Sequence, residues 1–312
     1  MNNTLCRSAA LLTLLAAPML ARPAAAATLL VGENQQYKTL SAAIDKVSDG
    51  DTIKIDAGEY FDCASIASNN ITIIGAGMDK TVFTDKTCGG KAILITVGEH
   101  ITISDLTLQR ARVADFNGAG IRGEGQSLLV ERVHFDNNQN GILMGAWPGA
   151  TMVIKDSLFT KNGTCEGSCG HGVYVGVIDK LTVENSKFFN TREGHAIKSR
   201  AKATEVIDCD IEDGPTGTSS YQIDIPNGGS LIARGNTIEK GPKSQNHTAA
   251  IMVGEEGITQ KTSQIIVENN TMTQHGDYST LLIKNFTATE AELKNNKLIG
   301  HIRPLMGDGN VD

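Results

Sequence analysis

The stretch VENSKF, residues 183–188, decides the fold because variants of it recur along the chain. The full set is ISDLTL (103–108), VERVHF (130–135), IKDSLF (154–159), VENSKF (183–188), VIDCDI (206–211), ARGNTI (233–238), VENNTM (267–272) and LKNNKL (293–298). The last residues of these segments advance by 190 positions in seven steps, from Leu108 to Leu298, which is a mean period of about 27. A fixed period of this size is typical of a solenoid built from stacked coils.

A second short run recurs between these segments. It takes the forms GAGIRG, NGILMG, HGVYVG, HAIKSR, YQIDIP, AAIMVG and STLLIK, each bounded by turn-forming residues. Two or three short strands per coil predict an all-β fold, a right-handed parallel β-helix, with residues 28–312 as one domain. In such a fold, equivalent residues of successive coils stack about 4.8 Å apart.

The two ends of the repeat carry further signals. In residues 36–62, Leu40, Ala43, Ile44 and Val47 have helical spacing, and a Gly-Asp-Thr strand follows. Because a solenoid needs its first coil covered, this pattern predicts a short amphipathic capping helix at the N-terminal end. At the other end, HIRPLMGDGNVD (301–312) is predicted to be a loose tail.

The opening TLSAAIDKVSDGDTIKIDAGEY (39–60), the following NNITIIGAG (69–77) and the repeats resemble the pectate-lyase-like superfamily of β-helix proteins. This superfamily includes pectate lyases, pectin methylesterases, polygalacturonases and alginate epimerases, so the resemblance implies a carbohydrate-active protein. Gly170-His171-Gly172 matches the Gly-His-Gly of polygalacturonase-type hydrolases, but the other active-site motifs of these families are missing. The resemblance therefore indicates the fold and leaves the reaction open.

The first 27 residues have the layout of a secretory signal peptide, with Arg7, a Leu/Ala-rich run and an Ala-x-Ala stretch. No later run reaches the roughly 20 apolar residues of a membrane span, which predicts an exported protein, secreted or periplasmic. Residues 28–312 carry 26 Lys+Arg against 35 Asp+Glu, a net charge of about −9. This acidic balance argues against nucleic acid as a partner.

Five cysteines remain after export, and an oxidising compartment favours disulfides between them. Cys63 with Cys88 and Cys165 with Cys169 are the predicted pairs, because each pair lies close together in the sequence. Cys209 occupies the fourth position of VIDCDI, which stacks from coil to coil, so its thiol is predicted to be structural.

The second strands place polar side chains in columns. Aligned on their inward apolar residues, their outward positions read Arg122, Leu143, Tyr174, Lys198, Asp224 and Met252. Arg200 shares the parity of Lys198, and His171, His195 and Tyr221 form a second column two residues before the inward position. A turn at Gly170 and Gly194 is expected to direct this second column outward, since polar groups are costly to bury unpaired. The columns predict a functional site on three consecutive coils.

Basic and phenolic groups at this density favour an acidic polysaccharide as the partner and uronate chemistry as the reaction. In a polysaccharide lyase or C5 epimerase, Arg200 would stabilise the enolate, and Lys198 or His195 would act as the base. Tyr174 or Tyr221 would protonate the leaving oxygen. Asp224, His171 and Arg122 are predicted to contact substrate, with Asp224 also orienting a basic partner.

Two alternatives stay open. A non-catalytic protein that binds polysaccharide or assists its assembly could carry the same surface, and a glycoside hydrolase is the second alternative. No cofactor is predicted. Ca²⁺ at Asp208, Asp210 and Glu212 is the weaker interpretation of an acidic strand that is expected to be solvated, and no Cys/His spacing indicates zinc.

Overall fold

The computed structural model describes residues 26–312, so the predicted signal peptide lies outside the described residues except for Ala26 and Ala27. The elements, in chain order, are β1 (Thr28–Val31), α1 (Leu40–Ile44), β2 (Thr52–Ile55), β3 (Gly58–Tyr60), β4 (Ala64–Ile66), β5 (Thr72–Ile74), β6 (Thr81–Thr84), β7 (Ala92–Thr96), β8 (Ile101–Gln109), β9 (Ala119–Gly123), β10 (Ser127–Asp136), β11 (Asn140–Met144), β12 (Thr151–Lys155), β13 (Leu158–Thr160), β14 (Val173–Val175), β15 (Lys180–Glu184), β16 (Lys187–Phe189), β17 (Ile197–Ser199), β18 (Ala203–Ile207), β19 (Asp210–Glu212), β20 (Ile223–Ile225), β21 (Ser230–Arg234), β22 (Thr237–Lys240), β23 (Ile251–Val253), β24 (Ile265–Glu268), β25 (Thr271–Gln274), β26 (Thr280–Asn285), β27 (Ala291–Lys294), β28 (Lys297–Ile299), β29 (Ile302–Met306) and β30 (Gly309–Val311).

These strands form three parallel sheets that wind around one core. Sheet 1 pairs β1, β2, β5, β8, β10, β12, β15, β18, β21, β24, β27 and β30. Sheet 2 pairs β3, β6, the C-terminal halves of β8 and β10, β13, β16, β19, β22, β25 and β28. Sheet 3 pairs β4, β7, β9, β11, β14, β17, β20, β23, β26 and β29. Each strand pairs with its counterpart one coil away, which confirms the predicted parallel β-helix.

The interior is a continuous apolar stack, because inward positions of successive coils carry Ile, Leu, Val and Phe. Phe135, Phe159 and Phe188 lie one above another with ring centroids 4.6 and 4.5 Å apart. Stacked aromatic pairs contribute about 0.5–1.5 kcal/mol each beyond the area that they bury. The strand spacing of a parallel sheet therefore also sets the packing of the core.

The chain bends between sheets 1 and 2 at the third position of the repeated segment. The residues there are Asp105, Arg132, Asp156, Asn185, Asp208, Gly235, Asn269 and Asn295, and all have φ between +48° and +70°. Asn, Asp and Gly tolerate this left-handed region better than other residues do, which explains their frequency at this position.

The fourth position forms a buried ladder, as predicted. The amide Nδ2 of Asn236 donates to Oδ1 of Asn270 at 2.9 Å, and Asn270 donates to Asn296 in the same way at 2.9 Å. Cys209 continues the ladder and is the one free cysteine among residues 26–312. Its thiol is 1% exposed, and burial raises its pKa to about 12, which confirms a structural placement.

The first coils are closed by a disulfide between Cys63 and Cys88, and a second joins Cys165 to Cys169, so both predicted pairs are confirmed. Helix α1 begins after Thr39, whose hydroxyl accepts a hydrogen bond from the backbone N–H of Ala42 at 3.3 Å. That α1 caps the solenoid stays a prediction.

The prediction of a loose tail is wrong, because residues 302–311 contribute β29 to sheet 3 and β30 to sheet 1. The sequence of this segment shows little alternation of apolar and polar residues. Its strands form by pairing with β26 and β27 of the preceding coil. Within residues 26–312, no helix is long and apolar enough to cross a membrane.

Candidate functional site

The outer face of sheet 3 carries the predicted column in register. Leu143 pairs with both Arg122 and Tyr174, Tyr174 with Lys198, Lys198 with Asp224, and Asp224 with Met252. Each member is therefore one strand spacing, about 4.8 Å, from the next. Tyr174, Lys198 and Asp224 lie on adjacent strands in the middle of the sheet.

The second column, His171, His195 and Tyr221, forms a stack on the same face. The two imidazoles lie 5.0 Å apart, and His195 lies 5.1 Å from the Tyr221 ring. A bend at Gly194, with φ of +33°, precedes His195, as predicted, whereas Gly170 pairs with Thr164 in an antiparallel bridge and has no left-handed backbone. The backbone N–H groups of His195 and Tyr221 donate to Nδ1 of the preceding histidine at 3.0 and 3.1 Å. Each neutral imidazole therefore carries its proton on Nε2.

Burial keeps both histidines neutral. It lowers the pKa of His171 to about 3, with smaller contributions from the charges of Lys198 and Arg200. Burial likewise holds the pKa of His195 well below its usual range. Because Nε2 of His195 lies 3.4 Å from Oδ2 of Asp224, its proton faces a carboxyl group and not the solvent.

We define the central cluster as Lys198, Arg200, Asp224 and Glu256, which are joined by ion pairs. Nζ of Lys198 lies 2.9 Å from Oδ2 of Asp224 and 2.6 Å from Oε1 of Glu256. The guanidinium of Arg200 lies 2.6 Å from Oε2 of Glu256, and its Nε donates to the phenol oxygen of Tyr174 at 3.0 Å. One carboxylate, that of Glu256, thus bridges both cations.

The carboxyl groups of the cluster differ in pKa. Burial raises the pKa of Asp224 to about 6, although Lys198 acts in the opposite direction. Burial alone would also raise the pKa of Glu256, but hydrogen bonds from Lys198 and Arg200 outweigh it and the pKa is lowered. Tyr221 donates to Glu255 at 2.8 Å, and burial together with this bond raises its pKa.

The structure brings seven of the predicted site residues together: His171, Tyr174, His195, Lys198, Arg200, Tyr221 and Asp224. The outward position of Lys198 on its strand predicts an exposed side chain. It is only 7% exposed, because Asp224 and Glu256 lie against its ammonium. Arg122 lies two strands from Tyr174, where its Nε is 3.6 Å from Glu124. It extends the surface without joining the central cluster.

The sequence columns miss Glu255 and Glu256, which lie in the loop after β23. Gly254 and Gly257 flank them with φ of +85° and +94°. Both conformations favour glycine, so the pattern Gly-Glu-Glu-Gly indicates a tight loop that projects two carboxylates. That pattern directly follows a sheet 3 strand and could have drawn attention to them.

Four buried side-chain polar atoms in residues 26–312 lack a hydrogen-bond partner, and all four belong to sheet 3. They are Nε of Arg122, Nδ2 of Asn140, Oδ1 of Asp224 and Oγ1 of Thr280. An unpaired buried polar group costs about 1–3 kcal/mol, so native proteins rarely keep several without a function.

Two cavities on this face are lined by three of the residues that carry these atoms, Arg122, Asn140 and Thr280. Cavity A, of about 300 Å³, is lined by Arg122, Asn140, Leu143, His171 and Tyr174. Cavity B, of about 280 Å³, is lined by His247, Thr280, Leu281, Lys284, Arg303 and Met306. The central cluster lies between them along the axis of the solenoid.

Among the described residues, no three His, Cys, Asp or Glu side chains converge as metal ligands would. In the acidic strand considered for Ca²⁺, Asp210 pairs with Lys187 at 2.7 Å. Asp208 lies in the left-handed bend before that strand.

Comparisons with known proteins agree with the architecture. The family model "Right handed beta helix region" matches residues 164–304. No curated protein matches the sequence.

Among solved structures, pectate lyase Pel9A is similar with a TM-score of 0.57 and 11% identity, over 89% of this chain and 78% of that one. ORF18 of Geobacillus virus E2 has a TM-score of 0.53 and 14% identity, over 86% of this chain and 57% of that one. The A-module of the mannuronan C-5 epimerase AlgE4 from Azotobacter vinelandii has a TM-score of 0.46 and 16% identity, over 87% and 94% of the two chains. The chain is therefore a right-handed parallel β-helix, the same fold as that of the similar pectate lyase.

Proposed function

We propose that this is an exported protein that acts on an acidic, uronate-containing polysaccharide by β-elimination or C5 epimerisation at the central cluster. One observation carries the proposal: the carboxylate of Glu256 bridges Lys198 and Arg200, with both contacts at 2.6 Å. Two cations already arranged around a carboxylate are suited to the carboxylate of a uronate sugar. Glu256 is 44% exposed at its side chain and lies on a loop, so a substrate can displace it.

Neutralising the substrate carboxylate is the main chemical requirement of both reactions. Removal of the proton at C5, next to this group, places negative charge on the carboxylate oxygens in the transition state. Lys198 and Arg200 would stabilise that charge, and the low exposure of Lys198 strengthens its contact. Asp224 would hold Lys198 in position through its 2.9 Å contact.

Tyr174 is the group that we assign to proton removal. Its phenol proton would first pass to solvent, and the resulting phenolate, stabilised by the hydrogen bond that Arg200 donates to its oxygen, would then take the C5 proton. His195 is disfavoured as the base, because its Nδ1 accepts a backbone hydrogen bond and its Nε2 proton faces Asp224. Lys198 is disfavoured because it pairs with two carboxyl groups.

In β-elimination, the base takes the C5 proton, the C4–O4 bond breaks, and a C4=C5 double bond forms. Tyr221, whose raised pKa keeps it protonated, would donate a proton to the leaving O4 oxygen. In epimerisation the C4–O4 bond stays intact, and Tyr221 or water would donate a proton to C5 from the opposite face.

Two further observations fit the proposal. The similar pectate lyase acts on pectate by its name, although this likeness shows the fold alone. Two disulfides are typical of an oxidising compartment, which agrees with the signal peptide predicted for residues 1–27 and with a secreted or periplasmic location.

The test is an activity screen of the mature protein on pectate, alginate and glucuronans. β-Elimination creates a double bond that absorbs in the ultraviolet, and epimerisation changes the sugar signals in NMR spectra. We expect Arg200→Gln to reduce turnover by at least a hundredfold, and Arg234→Gln, an exposed arginine of sheet 1, to leave it unchanged. Full activity of Arg200→Gln would overturn the proposal.

Hydrolysis is the second candidate, favoured by the opposite pKa shifts of Asp224 and Glu256 on either side of Lys198. A glycoside hydrolase would create new reducing ends without ultraviolet absorbance. Binding without any change in the polysaccharide would instead identify a binding or assembly protein. The same screen therefore separates the three functions.

A further inference from the structure

A third cavity lies in the loops that connect sheet 2 to sheet 3. Cavity C has a volume of about 390 Å³, and its lining includes Arg112, Thr164, Glu166, Arg192, Glu193 and Thr218. These residues belong to the segments that follow β8, β13, β16 and β19, and none lies on a strand of sheet 3. The cavity is therefore distinct from the outward columns that form the central cluster.

Two arginines reach toward each other in this cavity from different coils. Arg112 donates from Nη1 to the carbonyl oxygens of Ala111 and Asn137, at 2.9 and 2.6 Å, and from Nη2 to Oδ1 of Asn137 at 2.8 Å. Arg192 lies three coils further along the chain. It donates from Nε to the carbonyl oxygen of Lys161 at 2.9 Å and from Nη2 to the same Oδ1 of Asn137. One amide oxygen therefore holds two guanidinium groups side by side.

The distinguishing feature of these two cations is that they are held next to each other. Neither arginine pairs with a carboxylate of the described residues. Glu166 and Glu193 line the cavity, but Glu193 accepts a hydrogen bond from the backbone N–H of Cys165. Burial and then the charge of Arg192 lower the pKa of Arg112, and carboxylates at longer range oppose this more weakly. Adjacent like charges repel each other, so a bound anion would stabilise the pair.

Cavity C also offers donors that the protein itself does not use. Nε of Arg112 and Nη1 of Arg192 make no hydrogen bond with any residue that the structure describes. Arg112 is exposed, and Nη1 of Arg192 is not one of the four buried unpartnered atoms, so both groups are accessible from the cavity. The Thr218 hydroxyl accepts the backbone N–H of Glu193 at 2.9 Å, which leaves its own hydrogen available to a ligand.

These donors suit a tetrahedral anion. Guanidinium groups bind phosphate and sulfate oxygens through pairs of N–H donors, and their planar geometry makes arginine more selective for such groups than lysine. A carboxylate has only two oxygens, whereas phosphate and sulfate have enough oxygens to contact both guanidinium groups and a hydroxyl at once.

We propose that cavity C binds a tetrahedral oxyanion, phosphate or sulfate, between Arg112 and Arg192. The anion would accept hydrogen bonds from Nε of Arg112, Nη1 of Arg192 and the hydroxyl of Thr218. A free ion and a monoester both present at least three such oxygens, so the same contacts serve either source. This inference does not depend on the proposed function, because it concerns other residues and another ligand.

The experiment is calorimetry at constant ionic strength with inorganic phosphate, inorganic sulfate, phenyl phosphate and acetate. We expect one phosphate or sulfate ion to bind per protein, at least tenfold more tightly than acetate. Tighter binding of phenyl phosphate than of inorganic phosphate would identify an ester as the ligand, and the reverse order would identify the free ion. The double variant Arg112→Gln/Arg192→Gln should weaken phosphate binding at least tenfold.

The matched control is Lys284→Gln/Arg303→Gln, which removes two cations that line cavity B. It should keep the phosphate affinity of the wild type within twofold. The proposal is overturned if the wild type shows no saturable phosphate binding, or if acetate binds as tightly as phosphate. Equal losses in the two double variants would also overturn it, because only overall charge would then be involved.

Glu166→Gln provides a test that leaves both arginines in place, since their hydrogen bonds to backbone carbonyls also support the loops. Glu166 lines the cavity and acts on Arg112 through its charge, so neutralising it should tighten phosphate binding several-fold. Unchanged or weaker phosphate binding by Glu166→Gln would contradict a site that includes Arg112. This result decides the matter even if the double arginine variant does not fold.

Discussion

Asn185 lies at the bend between sheets 1 and 2 and has φ of +48°. Its side chain makes no hydrogen bond with a described residue, so a substitution there changes the backbone preference and breaks no side-chain contact of this kind. Asparagine and alanine both carry a Cβ, but alanine tolerates the left-handed region less well than asparagine, and the region costs an ordinary residue about 1–2 kcal/mol. We expect Asn185→Ala to lower the free energy of unfolding by about 1 kcal/mol, measured by urea denaturation. Asn185→Gly should change it by less than about 0.5 kcal/mol, and equal losses in both variants would show that the Asn side chain itself is needed.

Asp224 links stability to pH. Its pKa is about 6 in the folded protein, above the value of about 4 for an unfolded chain, so between these pH values the folded state binds more protons. The free energy of unfolding that Asp224 contributes through its raised pKa is thus fully present below pH 4 and is lost as the pH rises through 6. We expect wild type to lose about 2–3 kcal/mol relative to Asp224→Asn between pH 4 and 7.

Urea denaturation of both proteins at several pH values measures this difference. Groups whose pKa shifts act in the opposite sense, such as His171 and Glu256, are present in both proteins and largely cancel. Parallel stability curves for the two proteins would contradict a raised pKa for Asp224.

At the scale of an element, the loop between β23 and β24 occupies the site that it borders. Glu256 pairs with Lys198 and Arg200, so under the proposed function a uronate would compete with a carboxylate that is already in place. Removing the competitor favours the binding-competent state, and Glu256→Gln should tighten the binding of a galacturonate or mannuronate trimer several-fold in calorimetry. Glu268→Gln, which alters an exposed pair with Arg234, is the matched control. Weaker binding by Glu256→Gln would mean that Glu256 contacts substrate itself.

Over the whole molecule, repetition made the architecture predictable. Strand alternation and the repeat period were enough to predict which residues occupy the fourth position of the repeat and the outward column of sheet 3. Both columns are in register in the structure. The burial of Lys198 was not predictable, because it depends on Glu256, which lies in a loop outside the repeat. Strand periodicity constrains residues within the coils, whereas loops of unequal length can place side chains over any coil.

The parallel register of sheet 3 also fixes the distances between residues on its outer face. The central cluster and cavity B are two strand spacings apart because β23 lies between β20 and β26. The number of coils between two surface groups therefore fixes their separation in steps of about 4.8 Å. Gain or loss of one complete coil would shift that separation by one step and leave each group's own surroundings intact. The number of coils between two surface positions is thus the variable that sets the distance between them, independently of the side chains that the positions carry.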